Sequence, residues 1–166
     1  IKVMTADEYR QLSGAKDFGS STDWLEEVTG LGNYQVHNLS LAGGQGGTSF
    51  RGSFNIRDAK GIAINSGFNQ LNGRFNLTQK ALKDKATFTV NLSNTRKEAQ
   101  YGFLESLRYA IISNPTMPVY DGALSTASET GGGEYGGYAE RGIFDYFNPV
   151  SIAEQNKNEG TDNTFI

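Results

Sequence analysis

Cysteine is missing from all 166 residues, which excludes a disulfide frame, a thiol nucleophile and a thiolate metal site. No apolar run approaches the roughly 20 residues that a membrane-crossing helix requires, and no secretory leader is visible. A basic excess is lacking too. The net charge is −3 with both signs intermixed, so nothing favours a nucleic-acid partner. Acidic residues are scattered, without the spacing of a calcium loop. The run Gly43-Gly44-Gln45-Gly46-Gly47 joins strand to strand, whereas a phosphate loop needs a helix after it. Histidine occurs once, and His37 shares its strand parity with Leu39 and Leu41 rather than facing a pocket. With no catalytic constellation in view, the sequence predicts no enzyme, no cofactor and no metal site.

What the chain does hold is glycine, aromatic side chains and alternation. Its 21 Gly are nearly twice the usual share of roughly 7%, a sign of turns and close backbone approaches. With 8 Tyr, 10 Phe and 1 Trp it is no simple disordered tail. Three similar triplets, Asn38-Leu39-Ser40, Asn76-Leu77-Thr78 and Asn91-Leu92-Ser93, each set one apolar residue between two small polar ones. They match a glycosylation acceptor, but their place inside alternating strands argues against surface loops.

Residues 33–94 predict a four-strand antiparallel meander. In 48–57, Phe50, Phe54 and Ile56 oppose Ser49, Arg51, Ser53, Asn55 and Arg57. In 68–79, Leu71, Phe75 and Leu77 oppose Gln70, Asn72, Arg74, Asn76 and Thr78. In 86–94, Phe88, Val90 and Leu92 oppose Thr87, Thr89, Asn91 and Ser93. Strand 33–42 alternates from Asn38 onwards, while Tyr34 and Val36 break its parity. Short turns are expected at 43–47 and 80–85, at one end of the sheet. A hairpin around Asp58-Ala59-Lys60-Gly61 and a long connection over 95–160 leave the other end. Residues 161–166 read as the start of a further strand.

Helices are expected outside the meander. Within 1–32, Thr5-Ala6-Asp7-Glu8 has capping-box spacing and Asp23-Trp24-Leu25-Glu26 offers a second start. The acidic pairs Asp7/Glu8 and Glu26/Glu27 are explained by the helix dipole at a first turn, without acid–base chemistry. A third helix spans 103–112 until Asn114-Pro115 ends it, and Asn148-Pro149 marks a late turn. In the long connection Tyr101, Phe103, Tyr120, Tyr135 and Tyr138 are candidates for binding substrate or a partner, against the alternative that they pack the loop together.

A sheet with one apolar and one hydrogen-bonding face suits an outer-membrane barrel, lipid outside and water inside. On that reading Arg51, Arg57, Arg74, Asn76 and Asn91 face the lumen, and His37 sits at the bilayer interface. Five strands cannot close. Unpaired backbone groups at roughly 2–7 kcal/mol apiece make each open edge in lipid cost on the order of ten kcal/mol or more. Either further chain completes the sheet, or the protein is soluble and packs its apolar face elsewhere, since soluble antiparallel sheets alternate as well. The chain reads as a segment of something longer.

Particular residues narrow the choice. Met4-Thr5-Ala6-Asp7-Glu8-Tyr9, Thr22-Asp23-Trp24-Leu25, His37-Asn38-Leu39-Ser40-Leu41-Ala42-Gly43-Gly44, Asp58-Ala59-Lys60-Gly61-Ile62, Gly67-Phe68 and Arg74-Phe75-Asn76-Leu77 follow one another. Asn114-Pro115-Thr116-Met117-Pro118-Val119-Tyr120 and Asn148-Pro149-Val150 complete the order. Their succession resembles the SusC/RagA family of TonB-dependent outer-membrane transporters. The resemblance implies an all-β fold, part of a transmembrane barrel of about 22 strands with long extracellular loops carrying short helices. Residues 1–32 and 95–160 would be extracellular, 33–94 barrel wall and 161–166 the next strand. It also implies import of oligosaccharides or peptides, a SusD-like surface lipoprotein as partner and energy coupling through the TonB complex. The plug and TonB-contacting parts are absent from this stretch. The alternative is a soluble β-rich glycan-binding or adhesion module without transport.

Overall fold

The computed structural model describes residues 3–120, 137–139 and 147–166. Five antiparallel strands make one open sheet in chain order: β1 (Asn33–Gln45), β2 (Thr48–Lys60), β3 (Gly67–Ala81), β4 (Ala86–Gln100) and β5 (Glu159–Phe165). The described residues add four short helices, and the chain is mostly β. It divides into two compact units, a sheet unit (32–61, 66–101 and 159–166) and a helical unit (1–31, 62–65 and 102–158).

In the sheet unit the alternations of β1 to β4 line up from strand to strand, because residues directly opposite in antiparallel strands project to the same side. One face carries the rows Gly43–Phe50–Leu77–Val90, Leu41–Gly52–Phe75–Leu92 and Leu39–Phe54–Gly73. The other carries Ala42–Arg51–Asn76–Asn91, Ser40–Ser53–Arg74–Ser93 and Asn38–Asn55–Asn72–Thr95. Tyr34 and Val36 do not interrupt β1. They stand on the polar face in line with Asn38, opposite Ala59 and Arg57, so the irregularity is one of residue type and not of backbone.

Every strand runs beyond the stretch its alternation marks. Asp58, Ala59 and Lys60, expected in a hairpin, belong to β2, and the connection is 61–66. Residues 95–100, expected in the long connection, extend β4 and pair with both β3 and β5. There the apolar residues change sides: Ala59 and Ala99 stand in one row with Tyr34 and Phe68 on the otherwise polar face, while Asp58, Lys60 and Glu98 occupy the other. The β1–β2 turn shrinks to Gly46 and Gly47, with φ of +59° and +87°. That sign pattern is what a two-residue turn matched to strand twist demands, and glycine takes it without strain.

The helical unit contains α1 (Ala6–Arg10), α2 (Trp24–Val28), α3 (Glu105–Ile112) and α4 (Pro149–Gln155). Thr5 closes a capping box with Glu8, and Asp23 caps α2 by accepting from the amides of Leu25 and Glu26. Helix α4 was expected only as a turn, yet Asn148 at the cap and proline in the first turn are a start signal. Trp24, Val28, Ala110, Met117, Tyr138, Ala139 and Val150 form the core.

Two buried asparagines join distant segments of this unit. Asn114 donates to the Lys16 carbonyl at 3.0 Å and accepts from the Thr116 amide at 2.9 Å, while its own carbonyl takes the Trp24 indole N–H at 2.9 Å. Asn148 donates to the carbonyls of Val119 and Ala139 and accepts from the amides of Val150 and Ser151. Replacing it removes a helix cap and the side-chain hydrogen bonds to the carbonyls of Val119 and Ala139. Asn148→Ala is therefore expected to destabilise the helical unit by about 2–4 kcal/mol, measured by denaturant unfolding followed through Trp24 fluorescence.

Candidate functional site

The sheet's two faces are the feature most open to function, because neither is buried. On the apolar face Leu39 is 70% exposed, Phe54 57%, Phe88 64% and Phe165 73%, levels at odds with the core role such residues usually take. The apolar rows run from the level of Phe88 to the level of Ile56 and Leu71. Four row steps of two residues span about 27 Å along a strand, or about 20 Å at a tilt of ~40°. Beyond Ile56 the same face turns charged, with Asp58 and Glu98, then Lys60 and Glu159. The band thus has a defined upper limit, where Arg96 and Glu98 form an ion pair at 2.5 Å. His37 stands at that limit, opposite Ile56 and 3.5 Å from the Gln35 side-chain oxygen.

Glycines sit where the band is most crowded. A Cβ on Gly43 would meet the Phe50 ring at 3.0 Å, and one on Gly73 would meet Phe54 at 3.6 Å. Each phenylalanine covers the backbone of the glycine opposite it on the next strand, shielding peptide groups from whatever contacts this face.

The polar face is organised by side-chain hydrogen bonds across strands. Asn55 donates to Asn38 at 2.5 Å, Asn72 donates to Asn55 at 3.0 Å, and Thr95 donates to Asn72 at 2.8 Å. Gln70 adds a fourth bond to Asn72 at 3.2 Å. This four-strand ladder went unmarked among the candidate residues. The sequence held only part of its signal, an asparagine at a polar position in each of three alternating strands. Arg51, Arg57, Arg74, Asn76 and Asn91 all stand on this face, and Arg51, Asn76 and Asn91 share one row.

The aromatic candidates do not form one surface. Tyr101 belongs to the sheet unit, where its ring would lie 3.3 Å from a Cβ on Gly160. Phe103 is 37% exposed in the helical unit. Tyr120 and Tyr138 pair through a β-bridge, their ring centroids 4.9 Å apart. Tyr138 is a core residue whose hydroxyl donates to the Glu154 carboxylate, so its ring serves packing and is no open stacking surface. Tyr120 remains 58% exposed. Tyr135 lies outside the described residues.

Among the described residues no group of three or more His, Asp or Glu side chains is placed to hold a metal ion, and no helix is long and apolar enough to cross a membrane. Neither a family model nor a curated protein matches the chain.

Two measurements follow. Because Asn72 takes part in three of the ladder bonds, Asn72→Ala should cost about 1 kcal/mol and speed amide exchange in β2, β3 and β4 together. The hydrogen bond to Glu154, reinforced by burial, raises the Tyr138 phenol above its ordinary pKa of 10.0. The unfolded phenol ionises at that ordinary value, so its contribution is complete below pH of about 10 and is lost as pH rises further. Tyrosinate absorbance should show one phenol resisting ionisation, and Tyr138→Phe should remove it.

Proposed function

We propose that this chain is wall and loop of an outer-membrane β-barrel transporter of the SusC/RagA type. In this reading the sheet unit lies in the bilayer and the helical unit belongs to the extracellular loops. The observation that carries the proposal is the band of exposed Leu, Phe, Val and Ile, about 20 Å tall, bounded by charge and backed by a hydrogen-bonded polar face. Hydrocarbon is the solvent such a band suits, and the outward apolar girdle of a barrel is about 25 Å tall. A soluble sheet would leave the same side chains in water at roughly 25 cal/mol for each Å².

The connections support the same orientation. The two-residue β1–β2 turn and the turn after Ala81 leave one end of the sheet, and the 61–66 connection and the long passage to β5 leave the other. Short turns on the periplasmic side and long loops outside are usual for bacterial barrels. Further strands would pair with the outer edges of β1 and β5, because a bilayer tolerates no open edge. The function is then uptake of oligosaccharides or peptides through the lumen, driven by the TonB complex and shared with a SusD-like lipoprotein. The chain's part is structural and substrate-lining, with no catalysis.

Detergent dependence tests this directly. The purified chain should be monodisperse only with detergent or lipid, and a monodisperse, folded chain in plain buffer would instead support a soluble binding module. Within vesicles, with further strands closing the barrel, Phe75→Arg at mid-band should destabilise by about 2–4 kcal/mol, while Thr89→Arg on the opposite face should change stability by less than about 1 kcal/mol. Equal effects of the two substitutions in urea titrations would overturn the assignment of faces.

A further inference from the structure

The polar face is not uniform along its length. Its aromatic side chains, Tyr34, Phe68 and Tyr101, all stand at the end that carries the long connections. One row there reads Tyr34–Ala59–Phe68–Ala99–Gly160, and the Tyr101 ring lies over Gly160, where a Cβ would come within 3.3 Å of it. Aromatic and small residues thus alternate from strand to strand. Tyr34 is 60% exposed and Tyr101 51%, so neither is a core residue. The rows nearer the short turns hold no aromatic side chain.

An interfacial girdle does not account for these rings. Barrel girdles face outward at headgroup level, and here the outward row beside them is Gln35–Asp58–Asn69–Glu98, without an aromatic. Polar groups adjoin the rings on their own face. The next row holds Arg57, Gln70, Lys97 and Asp162, opposite one another across β2 to β5. Arg57 is exposed and makes no side-chain hydrogen bond or ion pair among the described residues. Lys97 holds its ammonium 5.3 Å from the centre of the Phe68 ring, which leaves Tyr34 and Tyr101 as the open platforms. These two stand on β1 and over β5, four strand spacings or about 19 Å apart.

We propose that this row binds a neutral oligosaccharide of pyranose units laid across the strands, with Tyr34 and Tyr101 as stacking platforms at its two ends. A pyranose presents C–H groups on its faces and hydroxyls around its edge. The exposed phenol rings suit the faces. Arg57, Gln70 and Lys97 donate to the edge hydroxyls, and the Asp162 carboxylate accepts from them. Both signs of charge adjoin the row, so a charged chain gains no advantage over a neutral one. One pyranose is about as long as one strand spacing, so about five units reach from one tyrosine to the other. A peptide is disfavoured, because anchoring one takes pockets for its side chains or a free strand edge, and this row offers flat rings on a sheet face. The inference narrows the substrate class of the proposed uptake and rests on that reading for the side from which substrate arrives, while every residue of the site belongs to the sheet unit.

Ligand-detected NMR titration of the whole chain in a neutral, sugar-free detergent tests it, with maltohexaose, cellohexaose, glucose and a hexapeptide of alternating Ser and Tyr as probes. At least one hexasaccharide should bind saturably, and at least about tenfold more tightly than glucose or the peptide, because only a sugar chain reaches both platforms. Tyr34→Ala with Tyr101→Ala should lower its affinity at least about tenfold, with circular dichroism unchanged. Tyr34→Phe with Tyr101→Phe, which retains both rings, should keep it within about threefold. Arg51→Gln with Arg74→Gln, nearer the short turns, should change it less than about twofold. In the unaltered chain, Overhauser contacts should join the sugar C–H protons to both tyrosine rings, a readout that holds even if the alanine pair misfolds. Absence of those contacts, no hexasaccharide binding, equal binding of glucose or of the peptide, or indifference to loss of the rings would each overturn the site. Detergent dependence is scored separately, so a chain monodisperse in plain buffer that still binds a hexasaccharide through these rings would sink the membrane proposal and leave this one standing.

Discussion

Strand register is the constraint from which the sheet's other properties descend. Side chains alternate with a period of two, so a slip of one residue between β2 and β3 would turn Leu71, Phe75 and Leu77 to the face now held by Arg51 and Asn55. Two kinds of contact oppose that slip. On one face Phe50 and Phe54 lie over Gly43 and Gly73, and a Cβ at Gly43 would press on the Phe50 ring at 3.0 Å. On the other, amide pairs from Asn38 to Asn72 meet only in the observed alignment. The turn of Gly46 and Gly47 fixes the alignment of β1 and β2 from the end.

The helical unit is held by a different means. Its helices are five to eight residues long, below the length at which a helix is stable by itself in water. Caps and buried side-chain amides compensate. Asn114 and Asn148 tie together segments nearly a hundred and about thirty residues apart in sequence, and the core around Trp24 and Val28 closes over them. The Asn-Pro pairs that mark these places therefore act as architecture. Proline sets the backbone after the asparagine, and the freed amide side chain bonds to carbonyls elsewhere.

Much of the sheet could be read from the residues because alternation is a strong signal when one face is apolar. It weakened where the apolar residues change sides, at Asp58–Lys60 in β2 and over 95–100 in β4. The helix at Pro149 was missed because seven residues give too short a period to detect, although Asn148 and the proline announced it. The shared face of Arg51, Arg57, Arg74, Asn76 and Asn91 followed from parity. The ladder of Asn38, Asn55 and Asn72 did not, because it depends on how three strands align, and alignment is a property of turns and not of any one strand. Tyr138 was ambiguous for a similar reason. Its role hangs on Glu154, sixteen residues further along the chain.

The uncovered band has a bearing on how the chain behaves before it folds. Mean hydropathy is −0.48, so the extended polypeptide mixes nonpolar and hydrophilic groups along its length and offers water no greasy stretch. Only pairing of the strands gathers Leu39, Phe54, Phe75 and Leu92 into a continuous oily sheet. Most proteins bury such groups as they fold; here they stay partly exposed and are set side by side. What folding adds is contiguity: side chains scattered along the extended polypeptide become one uninterrupted surface.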